Sequence, residues 1–329
     1  MFLVKVLPLF AFLLLPSAVL GQGTWKPQNN VEFVIGSAAG TGTDVVARMI
    51  QRLWRETRTL DVSTSVMNKP GGGGAVSWAY LSQHAGDPHY LLVTSYNIVG
   101  GHITGRSKLT YTNFTPISLL SSEYIAYSVR KDSPIKNATE LVDLLRKDPA
   151  SVSVGISSTR GGANHIALAA FMKAARVDHK KLKVVVFNSG GESMVALLGG
   201  HVDFMVASGS AIFTGTTSGA VRPLAFAAPK RVGGPFASVP TLTELGFPVM
   251  ADNWRIVIAA KDLTPPQIAF WDQAFAKLAA SEEWQNELDA KNLSNNYLNS
   301  ADTTKFLRAQ YGEVKEILTE LGLARSPKK

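Results

Sequence analysis

Short apolar, β-branched runs alternate along the chain with stretches whose apolar residues recur every three or four positions. The runs predict strands at Val31–Ile35, Val62–Met67, Tyr90–Thr94, Ile125–Val129, Val152–Ile156, Leu182–Phe187, Val202–Val206, Pro223–Ala227 and Ile256–Ala259. Helical spacing appears between them. Asp44–Trp54 puts Val45, Val46, Met49, Ile50 and Leu53 on one side, and Ala163–Ala175 repeats Ile166, Ala170 and Ala174 every four residues. Met194–Leu198 is a shorter example. From Pro265 to Gly322 the pattern is mostly helical, with Pro265 and Pro266 opening the first helix. Strand–helix alternation predicts α/β architecture with mostly parallel sheets.

The first 21 residues do not fit that pattern. Lys5 precedes an apolar run from Val6 to Leu15, then Pro16, Ser17 and small residues, with Val19 and Gly21 at cleavage-site spacing. This is the outline of a secretory signal peptide cleaved near Gly21. The run is shorter than the roughly 20 residues a membrane span needs, so the mature chain is expected to be exported and soluble.

Composition narrows the chemistry. The 329 residues suffice for one large domain or two ordinary ones, and 46% hydrophobic with 18% charged residues excludes a disordered chain. Cysteine is absent, which removes disulfides, thiolate metal sites and thiol nucleophiles. The net charge of +8 is scattered, without a basic stripe or interleaved aromatics, and favours an anionic ligand or simple solubility over nucleic acid.

Four strand-end turns carry candidate binding groups. Gly36-Ser-Ala-Ala-Gly40-Thr-Gly42-Thr-Asp44 follows a strand and opens a helix, offering small residues and free helix N–H groups, with Thr43 or Asp44 as the expected N-cap. Its spacing matches neither G-x-G-x-x-G nor a P-loop, so a carboxylate suits it better than a pyrophosphate. Ser157-Ser-Thr-Arg160-Gly-Gly-Ala-Asn-His165 repeats the arrangement. Arg160 there is either a bidentate carboxylate ligand or a solvated loop charge, and His165 reads as a hydrogen-bonded structural histidine. Asn188-Ser-Gly-Gly-Glu192 and Thr94-Ser-Tyr-Asn97 are the others. Together they suggest a polar, backbone-rich cleft at the carboxyl ends of strands. The glycine run Gly71–Gly74 is either a flexible turn or a place where backbone must approach something closely, with a plain loop the favoured reading. There is no G-x-S-x-G elbow, no H-E-x-x-H, and no histidine near a carboxylate pair at metal spacing, so nothing positive supports an enzyme, a metal or a cofactor.

Several motifs, in order, resemble one family. Gly40-Thr-Gly-Thr-Asp44 with Val-Val-Ala-Arg48, Asn68-Lys-Pro-Gly71 with Gly-Gly-Gly-Ala75, Asp87-Pro-His-Tyr90-Leu-Leu, Tyr111-Thr-Asn-Phe-Thr-Pro-Ile117, Leu198-Gly-Gly-His-Val-Asp203 and Val239-Pro-Thr-Leu-Thr-Glu-Leu-Gly246 are similar to the substrate-binding proteins of tripartite tricarboxylate transporters, the Bug or TctC-like family. The resemblance implies a two-lobed, type II periplasmic-binding-protein fold, each lobe a mixed sheet flanked by helices, with the ligand cleft between lobes. It divides the chain into lobe 1 (22–124 plus 229–329) and lobe 2 (125–228). It implies a periplasmic monomer that binds a small organic carboxylate and delivers it to the membrane subunits of the transporter. A ligand sensor or an unrecognised exported enzyme are the alternatives.

The candidate ligand-binding set is Ser37, Ala39, Gly40, Thr41, Gly42, Thr43, Asp44, Thr94, Ser95 and Asn97 from lobe 1. Lobe 2 adds Ser157, Ser158, Arg160, Gly161, Gly162, His165, Asn188, Ser189, Gly190, Gly191 and Ser208. Arg160 stands at a variable position of the family pattern and is the candidate selectivity residue for a distal carboxylate.

Overall fold

A computed structural model describes residues 25–157 and 159–325; the expected signal peptide, residues 1–21, lies outside them. In chain order the first half comprises β1 (Val31–Ile35), α1 (Gly42–Glu56), β2 (Thr64–Asn68), α2 (Ala75–Ser82), β3 (Tyr90–Thr94), α3 (Asn97–Ile103), β4 (Thr115–Ser122), β5 (Ile125–Arg130), α4 (Ala138–Lys147) and β6 (Ser153–Ser157). There follow α5 (Ala163–Ala174), β7 (Lys183–Phe187), α6 (Gly190–Leu198), β8 (Phe204–Ser208), α7 (Gly209–Thr217) and β9 (Val221–Phe226). The chain closes with β10 (Arg255–Ala259), α8 (Pro265–Ala279), α9 (Glu282–Ala290), β11 (Ser294–Leu298) and α10 (Ser300–Glu320).

The strands form two mixed sheets, one of order β11-β4-β10-β3-β1-β2 and one of order β7-β6-β8-β5-β9. In the first, β1 pairs parallel with β2 and β3, while β10 lies antiparallel between β3 and β4. In the second, β6 pairs parallel with β7 and β8, while β5 lies antiparallel between β8 and β9. Each sheet thus receives one antiparallel strand directly after the chain crosses from the other sheet. This is the two-lobed α/β architecture with mixed sheets that the resemblance implies; the mostly parallel sheets expected from strand–helix alternation are not found, because β5, β10 and β11 each pair antiparallel to their neighbours.

The periodicity of α1 is realised as a buried stripe of Val46, Met49, Ile50, Leu53 and Trp54. Trp54 stacks on Trp271 of α8 at 6.0 Å and leans on Phe275, sealing one face of the first sheet. α8 begins at Pro265, behind a reciprocal capping box of Thr264 and Gln267. In the second lobe Tyr127, Phe171 and Phe204 are fully buried, and the Tyr127 hydroxyl donates to Ala167 O at 2.7 Å.

Two short stretches join the lobes. Residues 122–125 run antiparallel to residues 251–255: Asn253 N donates to Glu123 O at 2.8 Å, and Ile125 N to Ala251 O at 3.2 Å. The return was expected at residue 229, but the packing carries it later. Phe236, Val239, Leu242 and Val249 all sit in the cores of the second lobe, and Leu242 N donates to Phe226 O at 2.8 Å. The lobes also touch away from the hinge, where Lys173 of α5 pairs with Glu320 of α10 at 2.7 Å.

Candidate functional site

The carboxyl ends of β1 and β3 in lobe 1, and of β6 and β8 in lobe 2, each lead into a small-residue turn and a helix. The first turn is organised from within. The helix starts at Gly42 with Thr41 in the cap position, not Thr43 or Asp44. The Thr41 hydroxyl does not cap; it is engaged by Ser37 Oγ and Ala38 O. Ser37 Oγ also bonds the Thr43 hydroxyl at 2.7 Å. Asp44 points back beneath the turn, accepting from Gly40 N at 2.8 Å, Asn68 Nδ2 at 2.9 Å and Arg48 Nε at 3.0 Å. Burial pushes its carboxyl up, but hydrogen bonds from Arg48, Gly40 and Asn68 outweigh that and hold it below the usual value. Ala39, Gly40 and Gly42 remain exposed.

The glycine run is a built element rather than a slack loop. Gly71 to Gly74 all have positive φ, at 136°, 57°, 66° and 109°. A Cβ on Gly36 would lie 2.9 Å from Gly74 Cα, and one on Gly74 would lie 2.7 Å from Trp78, so the two turns pack backbone to backbone.

In lobe 2, Gly161 N donates to His165 Nδ1 at 3.0 Å. His165 is buried, and burial, then the nearby charges of Arg160 and His179, push its pKa down to about 4. It is a neutral acceptor that holds the turn. A histidine depressed in the fold and normal when unfolded stabilises fully above pH 6.5 and loses that contribution as pH falls toward 4. Chemical unfolding of the wild type should therefore show a loss of about 3 kcal/mol between pH 7 and pH 4 from this group. His165→Asn should remove that slope; an unchanged slope would dismiss the assignment. Ser157 Oγ accepts from Asn164 Nδ2 at 2.6 Å, and Ser158 lies outside the described residues. Arg160 is exposed, and its Nη2 reaches Val184 O at 3.3 Å on the β7 edge of its own lobe.

The other turns are partly engaged as well. Ser189 Oγ caps α6 by accepting from Glu192 N, and Asn188 N and Nδ2 donate to Glu192 Oε2, so both residues are engaged by the start of the helix. A Cβ on Gly190 would lie 2.8 Å from Ala211 Cβ, while Gly191 is exposed. Thr94 is buried, Ser95 O accepts from Ile98 N at 3.1 Å, and Asn97 opens α3. Ser208 is the cap residue of α7 but makes no side-chain capping bond.

Two lines of contact bring the lobes' turns together. On one, Gly100 approaches Gly161 so closely that a Cβ on Gly100 would lie 2.4 Å from Gly161 O. Asn97 Oδ1 lies 3.5 Å from the corresponding point on Gly162, and Gly73 faces Thr159. The other runs through the hinge and was missed by the sequence reading. Arg255 is 5% exposed; its Nη1 donates to Asn253 O at 2.6 Å, and its Nη2 lies 3.5 Å from Glu123 Oε2. Glu123 Oε1 accepts from Ser210 N, in the first turn of α7, at 2.6 Å. The only sequence signal was a lone arginine leading into the apolar run Ile256–Ala259. Among the described residues no cluster of His, Asp or Glu could hold a metal, and no helix is long and apolar enough to cross a membrane.

A family model described as the tripartite tricarboxylate transporter family receptor matches residues 46–323. The chain belongs to this receptor family. A protein of Cupriavidus necator, the UPF0065 protein in the gbd 5' region, is 28% identical over 91% of this chain and 90% of its own length. Among solved structures of the receptor fold, an adipate-bound protein of R. palustris superposes with a TM-score of 0.79 at 21% identity, covering 91% of this chain and 99% of the other. MatC from Rhodopseudomonas palustris with bound malate gives 0.75 at 22% identity, covering 89% and 99%. The receptor architecture accounts for the two sheets and the paired crossings.

Proposed function

We propose that this receptor is an extracytoplasmic, monomeric solute-binding protein. It captures a small organic acid between its lobes and delivers it, unchanged, to the membrane subunits of a tripartite tricarboxylate transporter. The observation that carries this reading is the convergence of helix amino ends from both lobes. Asn97 at the start of α3 meets Gly162 ahead of α5, and Gly42 at the start of α1 is linked through Arg255 and Glu123 to Ser210 N in the first turn of α7. Exposed helix N–H groups and the positive end of the helix dipole favour an anion, and a carboxylate fits turns of this size. The adipate and malate held by two structural neighbours support the same ligand class. The expected signal peptide, residues 1–21, would place the protein in the periplasm.

A thermal-shift screen of residues 22–329 against mono-, di- and tricarboxylates tests the proposal. A ligand present at 100 times its Kd stabilises the folded chain by about 2.7 kcal/mol, enough to raise Tm by several degrees. At least one carboxylate should do so. A panel without any shift, together with a shift from a neutral or cationic solute, would reject the carboxylate reading.

A further inference from the structure

The buried Arg255 has a geometry that capping and hinge hydrogen bonds do not account for. Its Nη1 is engaged by Asn253 O and Trp254 O, but Nε is buried without a partner, and Nη2 has only the long contact to Glu123. The guanidinium is directed at the start of α1: a Cβ on Gly42 would lie 2.5 Å from Nη2 and 3.3 Å from Cζ and Nε. Glycine at that position is what lets the cation stand directly behind the exposed turn Ala39–Gly42. Arginine retains its charge even when buried, and an incompletely paired buried guanidinium is costly unless an anion completes it. Asp252, three residues back along the hinge, also attracts the guanidinium through charge, and burial raises its carboxyl above the usual value, but no hydrogen bond joins the two.

We propose that Arg255 is the charge-reading residue of the cleft, its guanidinium meeting a ligand carboxylate seated on the first turn of α1. This inference rests on the carboxylate-binding reading above and names the residue that selects the charge. Glu123 competes for the same cation. Because Glu123 also accepts from Ser210 N of the other lobe, it shares Arg255 between an internal carboxylate and the ligand. The exposed Arg160, held at the β7 edge of lobe 2, is then not the principal charge reader.

The two members of the pair make opposite predictions, which separates a ligand role from a structural one. Malate and adipate, with the other members of the carboxylate panel, are titrated calorimetrically into wild type, Arg255→Met, Arg255→Lys and Glu123→Gln. Arg255→Met should weaken carboxylate binding at least about 30-fold, since a charge-assisted bond in a buried site is lost. Arg255→Lys should fall between it and wild type. Glu123→Gln keeps an oxygen for Ser210 N while withdrawing the competing charge, and should tighten binding several-fold. Unchanged affinity in Arg255→Met would overturn the proposal, as would equal weakening by Arg255→Met and Glu123→Gln with lowered Tm in both, the signature of a purely structural pair. If Arg255→Met does not fold, the charge-neutral double variant Glu123→Gln/Arg255→Met decides in its place: folded without binding supports the proposal, folded with wild-type binding overturns it. A wild type that binds no carboxylate rejects the parent reading and this one together; a wild type that binds, with Arg255→Met binding equally, rejects this one alone.

Discussion

Gly100→Ala should lower carboxylate affinity by about two orders of magnitude while leaving the fold intact, a loss of roughly 2.7 kcal/mol in binding free energy. The added Cβ would stand 2.4 Å from Gly161 O, a main-chain atom of the opposite lobe. Ordinary contact needs about 1 Å more, and interiors packed to crystal density do not absorb that locally. Gly161 cannot easily retreat, because it has φ 80° and its own Cβ position lies 3.2 Å from both Leu318 of α10 and Thr104. The strain is relieved by moving the lobes apart at the hinge, which separates the turns that must meet on one ligand. Small-angle scattering should show wild type compacting on addition of a panel hit and the variant remaining extended. Wild-type affinity with wild-type compaction in Gly100→Ala would show that this contact is not part of the binding-competent arrangement.

Asp44→Ala should cost about 3 kcal/mol of folding stability, with Tm falling by roughly 5–10 °C. The carboxylate is almost wholly buried and accepts from Gly40 N, Asn68 Nδ2 and Arg48 Nε. Truncation strands three donors, which is a larger loss than the roughly 1 kcal/mol of a simple N-cap. The pH dependence follows from the lowered carboxyl. Its contribution is complete above the unfolded-state value near 4 and is lost as pH falls through the folded value beneath it. Wild type should therefore lose more stability than Asp44→Ala on acidification below pH 4. Denaturant unfolding at pH 7 and pH 3 checks both statements. A strong affinity loss with unchanged melting would instead assign Asp44 to the ligand.

Particular residues show how far the chain could be read directly. β1 and β3 were placed to the residue, because Val31–Ile35 and Tyr90–Thr94 are short apolar runs between turn-forming residues. β4 and β11 escaped. β4 buries Ser118, Ser121 and Ser122 completely and carries Pro116 beside a register shift, so neither hydropathy nor composition marks it as a central strand. Two of its polar groups are satisfied from afar: Leu119 N donates to Thr303 Oγ1 of α10, and Ser118 Oγ to Leu298 O of β11. β11, Ser-Asn-Asn-Tyr-Leu, is an edge strand whose pairing is set by β4. The helices α2, α3, α4 and α7 were also passed over; the short, glycine-bearing α3 and α7 lack a clear apolar stripe.

The sequence by itself determined the α/β class, the receptor family, and the strand-end turns as the place to look. Those features live in local periodicity, in small residues ahead of helices and in motifs a few residues long. The tertiary structure decided which turn residues stay exposed and which are tied up within the turns. Asp44, Asn188, Ser189 and His165 are engaged in holding turns. Arg160 and Arg255 have the same chemistry in one dimension, yet the fold leaves the first at an exposed edge and buries the second behind Gly42. Burial, and the partners that Glu123, Gly42 and Ser210 supply from positions far apart in the chain, set what a charge is worth. No local pattern encodes that.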